Sequence, residues 1–344
     1  MPRTLKIAAA QMGAVHRDSA RQDTLSRMIK LLQSASTLDA QLVLFPETAF
    51  TTFFPRHLIS DHKELDSFFE HGDDLLQSPN TKPLFDEAKR LKTDISVGFA
   101  ERTADGNGYN TSVYYSASQG EVIARYRKVH LPGTKEPFEN PEAVNQLEKR
   151  YFEPGNLGFK AFRAPDLILG AQKKGAGSIR PGLGDPILGM MICNDRRWAE
   201  GWRCYGLQGV EVVLCGYNTA GFAPDLWGTR KPMTPKEAED DAVFHHKLVM
   251  QGNSYMNSCF SVSAAKAGLE DGKYDLIGGS CITSPEGHVL AEAKTKGDEI
   301  VFAEIDLEDC RQGKEKTFDF DRHRRIDQYA PITLQTGVIE PELL

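Results

Sequence analysis

The sequence predicts an α/β fold built in layers. Two observations carry this. Strand and helix patterns alternate from the first residues to the last. No low-complexity linker divides the 344 residues into separate units.

The elements follow in order. Thr4 to Ala10 reads as a buried first strand. Leu25, Met28, Ile29 and Leu32 recur at helical spacing and predict an amphipathic helix over Asp23 to Ala35. Leu42 to Phe45 is a compact apolar run stopped by Pro46, as a strand buried on both faces would be. A helix over Thr81 to Leu91 and a strand over Asp94 to Ala100 come next. Gly106 to Gly108 marks a turn, and Ser112 to Ser116 and Val122 to Tyr126 read as neighbouring strands. Ile187 to Ile192 is a strand leading to Cys193, followed by a helix over Trp198 to Leu207 and a strand over Val210 to Leu214. Lys236 to Asn257 predicts a long helix. Phe260 to Ala264, Gly279 to Thr283, Val289 to Ala293 and Glu299 to Ile305 complete the strands, with a hairpin turn at Pro285-Glu286-Gly287. Ala164 to Pro186 and Gly221 to Pro235 read as long loops of the kind that often bind or cover a site. We expect one domain over residues 1–310 and a solvated C-terminal extension over 311–344 that packs on a partner subunit.

Bulk properties narrow the function. The net charge of −7 argues against nucleic acid or an anionic membrane as the main partner. No apolar run reaches the ~20 residues of a membrane helix, and Gln11 breaks the N-terminal apolar run too early for a signal core. The expected location is the cytoplasm. The six cysteines form no CxxC pair, which removes zinc-ribbon and thioredoxin-like readings and leaves free thiols.

Three stretches carry candidate chemistry. In LFPET, Glu47 falls at the carboxyl end of a strand, where open α/β sheets place ligands; a loop or helix-start carboxylate is the plainer reading. In ARYRKVHLPG, Lys128 can hold positive charge against an oxyanion, although basic residues also protect edge strands from aggregation. In GMMICNDRRW, Cys193 ends an apolar run. A thiol there needs a base before it attacks a carbonyl, and most free cysteines are simply core residues. Arg196 and Arg197 can clamp a carboxylate by bidentate bonds, or pair with Asp195 and Glu200 on a helix surface. HExxH, GxSxG and GxGxxG motifs are all absent, so zincin, serine-hydrolase and dinucleotide readings have no motif behind them.

Taken together and in this order, the Glu47, Lys128 and Cys193 contexts resemble the nitrilase (carbon–nitrogen hydrolase) superfamily. The likeness to the N-carbamoyl-D-amino acid amidohydrolases, or D-carbamoylases, extends through Thr48 to Arg56, LEKRYFEPG (Leu147 to Gly155), CNDRRW, GYNT (Gly216 to Thr219) and Phe244 to His246. The resemblance implies a four-layer α-β-β-α sandwich and a Glu47-Lys128-Cys193 triad, with Glu148 positioning the lysine. It implies substrate contacts from His130, Asn194, Arg196, Arg197, Asn218 and Thr219, no metal or cofactor, and a homo-oligomer, dimer or tetramer. The implied substrate is a small N-carbamoyl amino acid of D configuration. A β-ureidopropionase-like amidase, an aliphatic amidase or nitrilase, and a catalytically silent binding homologue are the rival readings. Two departures stand out. Gln146 occupies a position where the family often has histidine, and the 164–186 segment is longer than a D-carbamoylase leads us to expect.

Overall fold

The computed structural model describes residues 2–168, 170–171, 184–228 and 232–342. Most of the expected long loop over 164–186 lies outside the described residues, as do 229–231 of the second loop.

Among the described residues, fourteen strands form two facing sheets. Those of the first half are β1 (Thr4–Gly13), β2 (Leu42–Leu44), β3 (Phe69–His71), β4 (Asp94–Arg102), β5 (Gly108–Ser116) and β6 (Glu121–Arg127). The rest are β7 (Phe162–Arg163), β8 (Ile187–Ile192), β9 (Val212–Tyr217), β10 (Phe260–Glu270), β11 (Tyr274–Ile277), β12 (Cys281–Thr283), β13 (Val289–Glu292) and β14 (Glu299–Asp306). The first sheet runs β6-β5-β4-β2-β1-β14, and the second runs β7-β8-β9-β10-β12-β13. They join where Met12 and Gly13 at the end of β1 pair with Lys266 and Ala267 of β10. The four main helices are α1 (Arg21–Ser36), α2 (Lys82–Leu91), α3 (Ala199–Gly206) and α4 (Pro235–Asn257).

Burial explains the layering. Along β1, Leu5, Ile7 and Ala9 face one way and pack with Met190, Ile192, Leu214 and Val262 of the second sheet. The alternate residues Ala8, Ala10 and Met12 face the other way, against Leu25, Met28 and Leu32 of α1 and Leu84 and Phe85 of α2. On the far side, Met191, Val213 and Cys215 meet Trp202 and Tyr205 of α3 and Met250 of α4. The order is therefore helix, sheet, sheet, helix. Strands buried on both faces must be apolar at almost every position, which is why they read as continuous runs.

Boundaries differ from expectation for local reasons. The strand expected over Val210 to Leu214 is β9, Val212–Tyr217. Gly209 turns at φ +77. Glu211, buried, pairs with Arg3 and accepts the Ile187 N–H. The strand thus starts later and delivers Asn218 and Thr219 at its end. The strand expected from Gly279 begins at Cys281, because Gly278 and Gly279 sit at φ +60 and +78. Helix α4 starts where Thr234 caps it: its hydroxyl accepts the Glu237 N–H, and the Glu237 carboxylate accepts the Thr234 N–H. The C-terminal segment is not uniformly solvated. Lys314 donates to the Gly209 and Val210 carbonyls, and Phe318 packs edge-on against Tyr255. Among the described residues, no helix is long and apolar enough to cross a membrane.

Candidate active site

Four strands point their site-bearing ends at one edge. Strands β2, β8 and β9 end there, followed by Glu47, Cys193 and Asn218 respectively. Strand β6, two antiparallel steps from β4, ends in the same direction and is followed by Lys128. Strand β5 runs oppositely and so starts there, with Asn110.

Two turns hold the reacting groups in unusual backbone. Cys193 follows β8 at φ +49, the first residue of a 3-10 turn over Cys193–Arg197. Thr48, next to Glu47, sits at φ +44. Side chains other than glycine rarely take this region, and such outliers cluster at functional sites. The Cys193 turn is pinned by Asp195, fully buried. One Asp195 oxygen accepts from the His130 N–H and ring Nδ1, both at 2.8 Å; the other accepts from the Tyr126 hydroxyl at 2.7 Å. The Glu47 turn is squeezed by two glycines. A Cβ at Gly98 would meet the Pro46 carbonyl at 2.7 Å, and one at Gly216 would meet the Glu47 nitrogen at 2.8 Å.

At the centre lies Lys128, 1% exposed. Its Nζ donates to Glu47 Oε1 at 2.8 Å and to Glu148 Oε1 and Oε2 at 2.9 and 2.7 Å. Burial opposes its charge, but the anionic groups around it, a Cys193 thiolate once formed and the Glu148 and Glu47 carboxylates, outweigh burial and hold the ammonium above its ordinary range. Burial is also the main reason that the Glu148 carboxyl is raised, with Glu47 adding repulsion and Lys128 opposing. The Cys193 thiol donates to the Asn218 carbonyl at 3.3 Å. Burial first, then the Glu47 charge, push this thiol up, against Lys128 and Arg196. It therefore rests protonated and needs a base. Glu47 Oε2 is buried with no partner among the described residues, an acceptor held in reserve. A thiol, a carboxylate acceptor and a fixed ammonium can together carry nucleophilic acyl transfer.

The narrow cleft at Cys193 is lined by Arg56, Gln146, Asn194, Arg197, Asn218, Thr219 and Trp227, among others. Of the residues expected to meet substrate, Asn194, Arg197, Asn218 and Thr219 are there. The other two, Arg196 and His130, sit elsewhere. Arg196 is 1% exposed and faces inward: its Nη1 donates to the Cys193 carbonyl at 2.6 Å and its Nη2 to Thr219 Oγ1 at 3.2 Å. The arginine pair is thus split, because the tight turn sends neighbouring side chains to opposite sides. His130 is committed to Asp195 and stacks on Trp198, ring centroids 4.7 Å apart, so it supports the turn from behind the cleft. Sequence reasoning missed three residues here. Asn110 donates to both glutamates, at 2.7 Å to Glu47 Oε1 and 3.4 Å to Glu148 Oε2. Arg56 lines the cleft while bonded to Glu270 at 2.7 Å. Trp227 lies under the Arg197 guanidinium, 4.7 Å from ring centroid to carbon. Of these, Arg56 had a signal, since it closes the Thr48 to Arg56 likeness.

The chain matches the carbon–nitrogen hydrolase family over residues 6–315 and belongs to it. It is a hydrolase of non-peptide carbon–nitrogen bonds. It is 26% identical to an N-carbamoylputrescine amidase from Oryza sativa subsp. japonica over 97% of this chain and 96% of the relative. It is 26% identical to a citrullinase from Francisella tularensis over 90% and 91%. Among solved structures, a carbon–nitrogen hydrolase from Helicobacter pylori superposes with a TM-score of 0.73 at 21% identity, covering 96% of this chain and 98% of that one.

Proposed function

We propose that the protein hydrolyses N-carbamoyl amino acids to the free amino acid, carbon dioxide and ammonia, with Glu47, Lys128 and Cys193 as the catalytic residues. The observation that carries this reading is Lys128, buried between Glu47 and Glu148, beside a cleft floored by Cys193. Glu47 takes the thiol proton, and the sulfur attacks the carbamoyl carbon. Lys128 and the Asn194 N–H hold the oxyanion. The tetrahedral species expels ammonia, which receives the proton stored on Glu47, and leaves an N-substituted thiocarbamate on Cys193. Water activated by Glu47 displaces the thiol. The carbamate released breaks into amine and carbon dioxide.

The substrate class follows from charge. Arg197 is held down to about 10, mainly by burial and then by Arg196, so it stays charged at neutral pH. Among the described residues no carboxylate pairs with it. An anionic substrate group supplies that partner. Like charge disfavours a cationic tail, such as that of a carbamoylated diamine, at the same place. The D configuration rests on the CNDRRW and GYNT likeness. We propose in addition that the chain assembles as a homo-oligomer through its C-terminal segment.

The test is ammonia release from matched N-carbamoyl D- and L-amino acids, with simple amides alongside. Turnover of the D series, abolished in Cys193→Ala, is the expected result. Release from simple amides alone overturns the carbamoyl reading, and full turnover by Cys193→Ala overturns the triad.

A further inference from the structure

We propose that Asn110 is a positioning residue for the reaction. Its side-chain amide donates to Glu47 and Glu148 and turns Glu47 so that Oε2 alone is left to take the thiol proton. The inference rests on the Glu47-Lys128-Cys193 reading and adds to it.

The argument is a count of donors. Two carboxylates and one ammonium share a site with essentially no solvent. Lys128 has three N–H groups, and its three contacts go to Glu47 Oε1, Glu148 Oε1 and Glu148 Oε2. One ammonium thus bonds two carboxylates directly, with nothing left over for Glu47 beyond a single bond; the next cation, Lys266 of β10, is spent on the Thr48 and Thr51 carbonyls. Asn110 supplies the missing donors from one NH₂ group, at 2.7 Å to Glu47 Oε1 and 3.4 Å to Glu148 Oε2. Gln146 adds a bond to Glu148 Oε1 at 2.6 Å. The outcome is asymmetric. Glu148 accepts bonds on both oxygens and is saturated. Glu47 accepts two, both on Oε1, and its Oε2 stays buried and unpartnered. That difference separates the base from the positioning carboxylate. The amide is held in one orientation, since a flip would aim Oδ1 at two carboxylates. The same residue also registers the lysine: the Asn110 carbonyl accepts the Lys128 main-chain N–H at 2.8 Å.

The sign of the effect is fixed. Bonds donated to a carboxylate favour its charged form, so removing them raises the pKa of the pair. Glu47 works as a base only when ionised. The acid limb of kcat/KM therefore moves to higher pH when Asn110 loses its amide. Two variants separate this from mere structure. Asn110→Ala removes the donors and keeps the main-chain bond to Lys128. Asn110→Asp keeps the size and adds a third negative charge.

The experiment measures kcat/KM against pH by ammonia release, using whichever compound of the panel turns over. In parallel it measures the pH dependence of Cys193 alkylation by iodoacetamide, read by mass spectrometry on the Cys193 peptide because Cys204 is exposed and reacts too. Expected for Asn110→Ala is an acid limb raised by about one pH unit and a rate about 10- to 100-fold lower at neutral pH. Asn110→Asp is expected to shift further despite its matching shape, with the alkylation profile moving the same way. An unmoved limb in both variants, or Asn110→Asp as active as the parent, overturns the inference. Should Asn110→Ala fail to fold, the isosteric Asn110→Asp carries the test. Cys193→Ala is the control: if it retains turnover, the triad reading fails; if it is dead and the limbs are unmoved, only the role of Asn110 fails.

Discussion

Arg197 and Arg196 are neighbours in sequence and opposites in structure. Arg196 spends its guanidinium on the Cys193 carbonyl and Thr219, so its substitution disturbs the nucleophile turn itself. Arg197 spends its own on little: a 3.5 Å contact to Asn194 Oδ1 and the face of Trp227. Replacing Arg197 by Leu should therefore leave the turn intact and remove the substrate's counter-charge. A charge-assisted bond contributes roughly 1.5–3 kcal/mol, about 10- to 100-fold in binding. The expected outcome is KM raised by about that factor for carboxylate-bearing substrates, with kcat within about threefold and uncharged amides unaffected. Steady-state kinetics on one substrate of each kind checks it. A fall in kcat with KM unchanged would place Arg197 in the chemistry instead. Glu47, Lys128 and Cys193 are legible in the sequence only together, as three contexts in a fixed order; each alone has a plainer structural reading. Asn110 stays hidden. It sits in GYNTSVYY, an ordinary strand, and its partners lie 63 and 38 residues away. Nothing local marks a side chain whose value is entirely tertiary.

Elements matter here through how closely they approach. The Pro46 to Thr48 turn lies between Gly98 of β4 and Gly216 of β9, each within 3 Å of it once a Cβ is added. The atoms in the way are backbone, which cannot rotate aside. Gly216→Ala should therefore displace the Glu47 turn rather than be absorbed. Overpacking of this kind costs roughly 1–3 kcal/mol. A shift of ~1 Å at the base costs on the order of 100-fold in rate. We expect kcat to fall by about that factor while the variant still folds, with a melting temperature lower by several degrees. Thermal unfolding beside ammonia release measures both, and a variant with full kcat would mean the turn has room. The strands themselves are mostly legible, since burial on both faces demands runs such as Leu42 to Leu44. Strands β3, β7 and the four-residue β11 are not. At three, two and four residues they are too short to carry a clear period, and β3 buries Glu70, whose carboxylate accepts from Ser78 and Asn80. Its polar residue is satisfied by a loop that sequence patterning does not place beside it.

At the scale of the molecule, four layers bury the central strands of both sheets and leave one part unfinished. Up to Phe320 the C-terminal segment is tied to the body, with Arg203 stacked over the Phe320 ring at 4.2 Å. Beyond it the chain exposes Ile326, Ile332, Leu334, Val338 and Ile339, the last three at 75–89% of their surface. Scattered surface leucines mean little, but five large apolar side chains in one short stretch mark a surface that gains by being covered. Among the described residues, these side chains are left largely uncovered by the layered body. A second copy is the partner that is always present at matching concentration. Deleting residues 324–344 should then reduce the native mass measured by light scattering, with far-ultraviolet circular dichroism and the Cys193 site unchanged within the body. Assembly should make the melting temperature of the full chain, but not that of the truncated one, depend on protein concentration. If both forms have the same mass, the segment does not hold copies together, and its apolar side chains serve no interface of this chain.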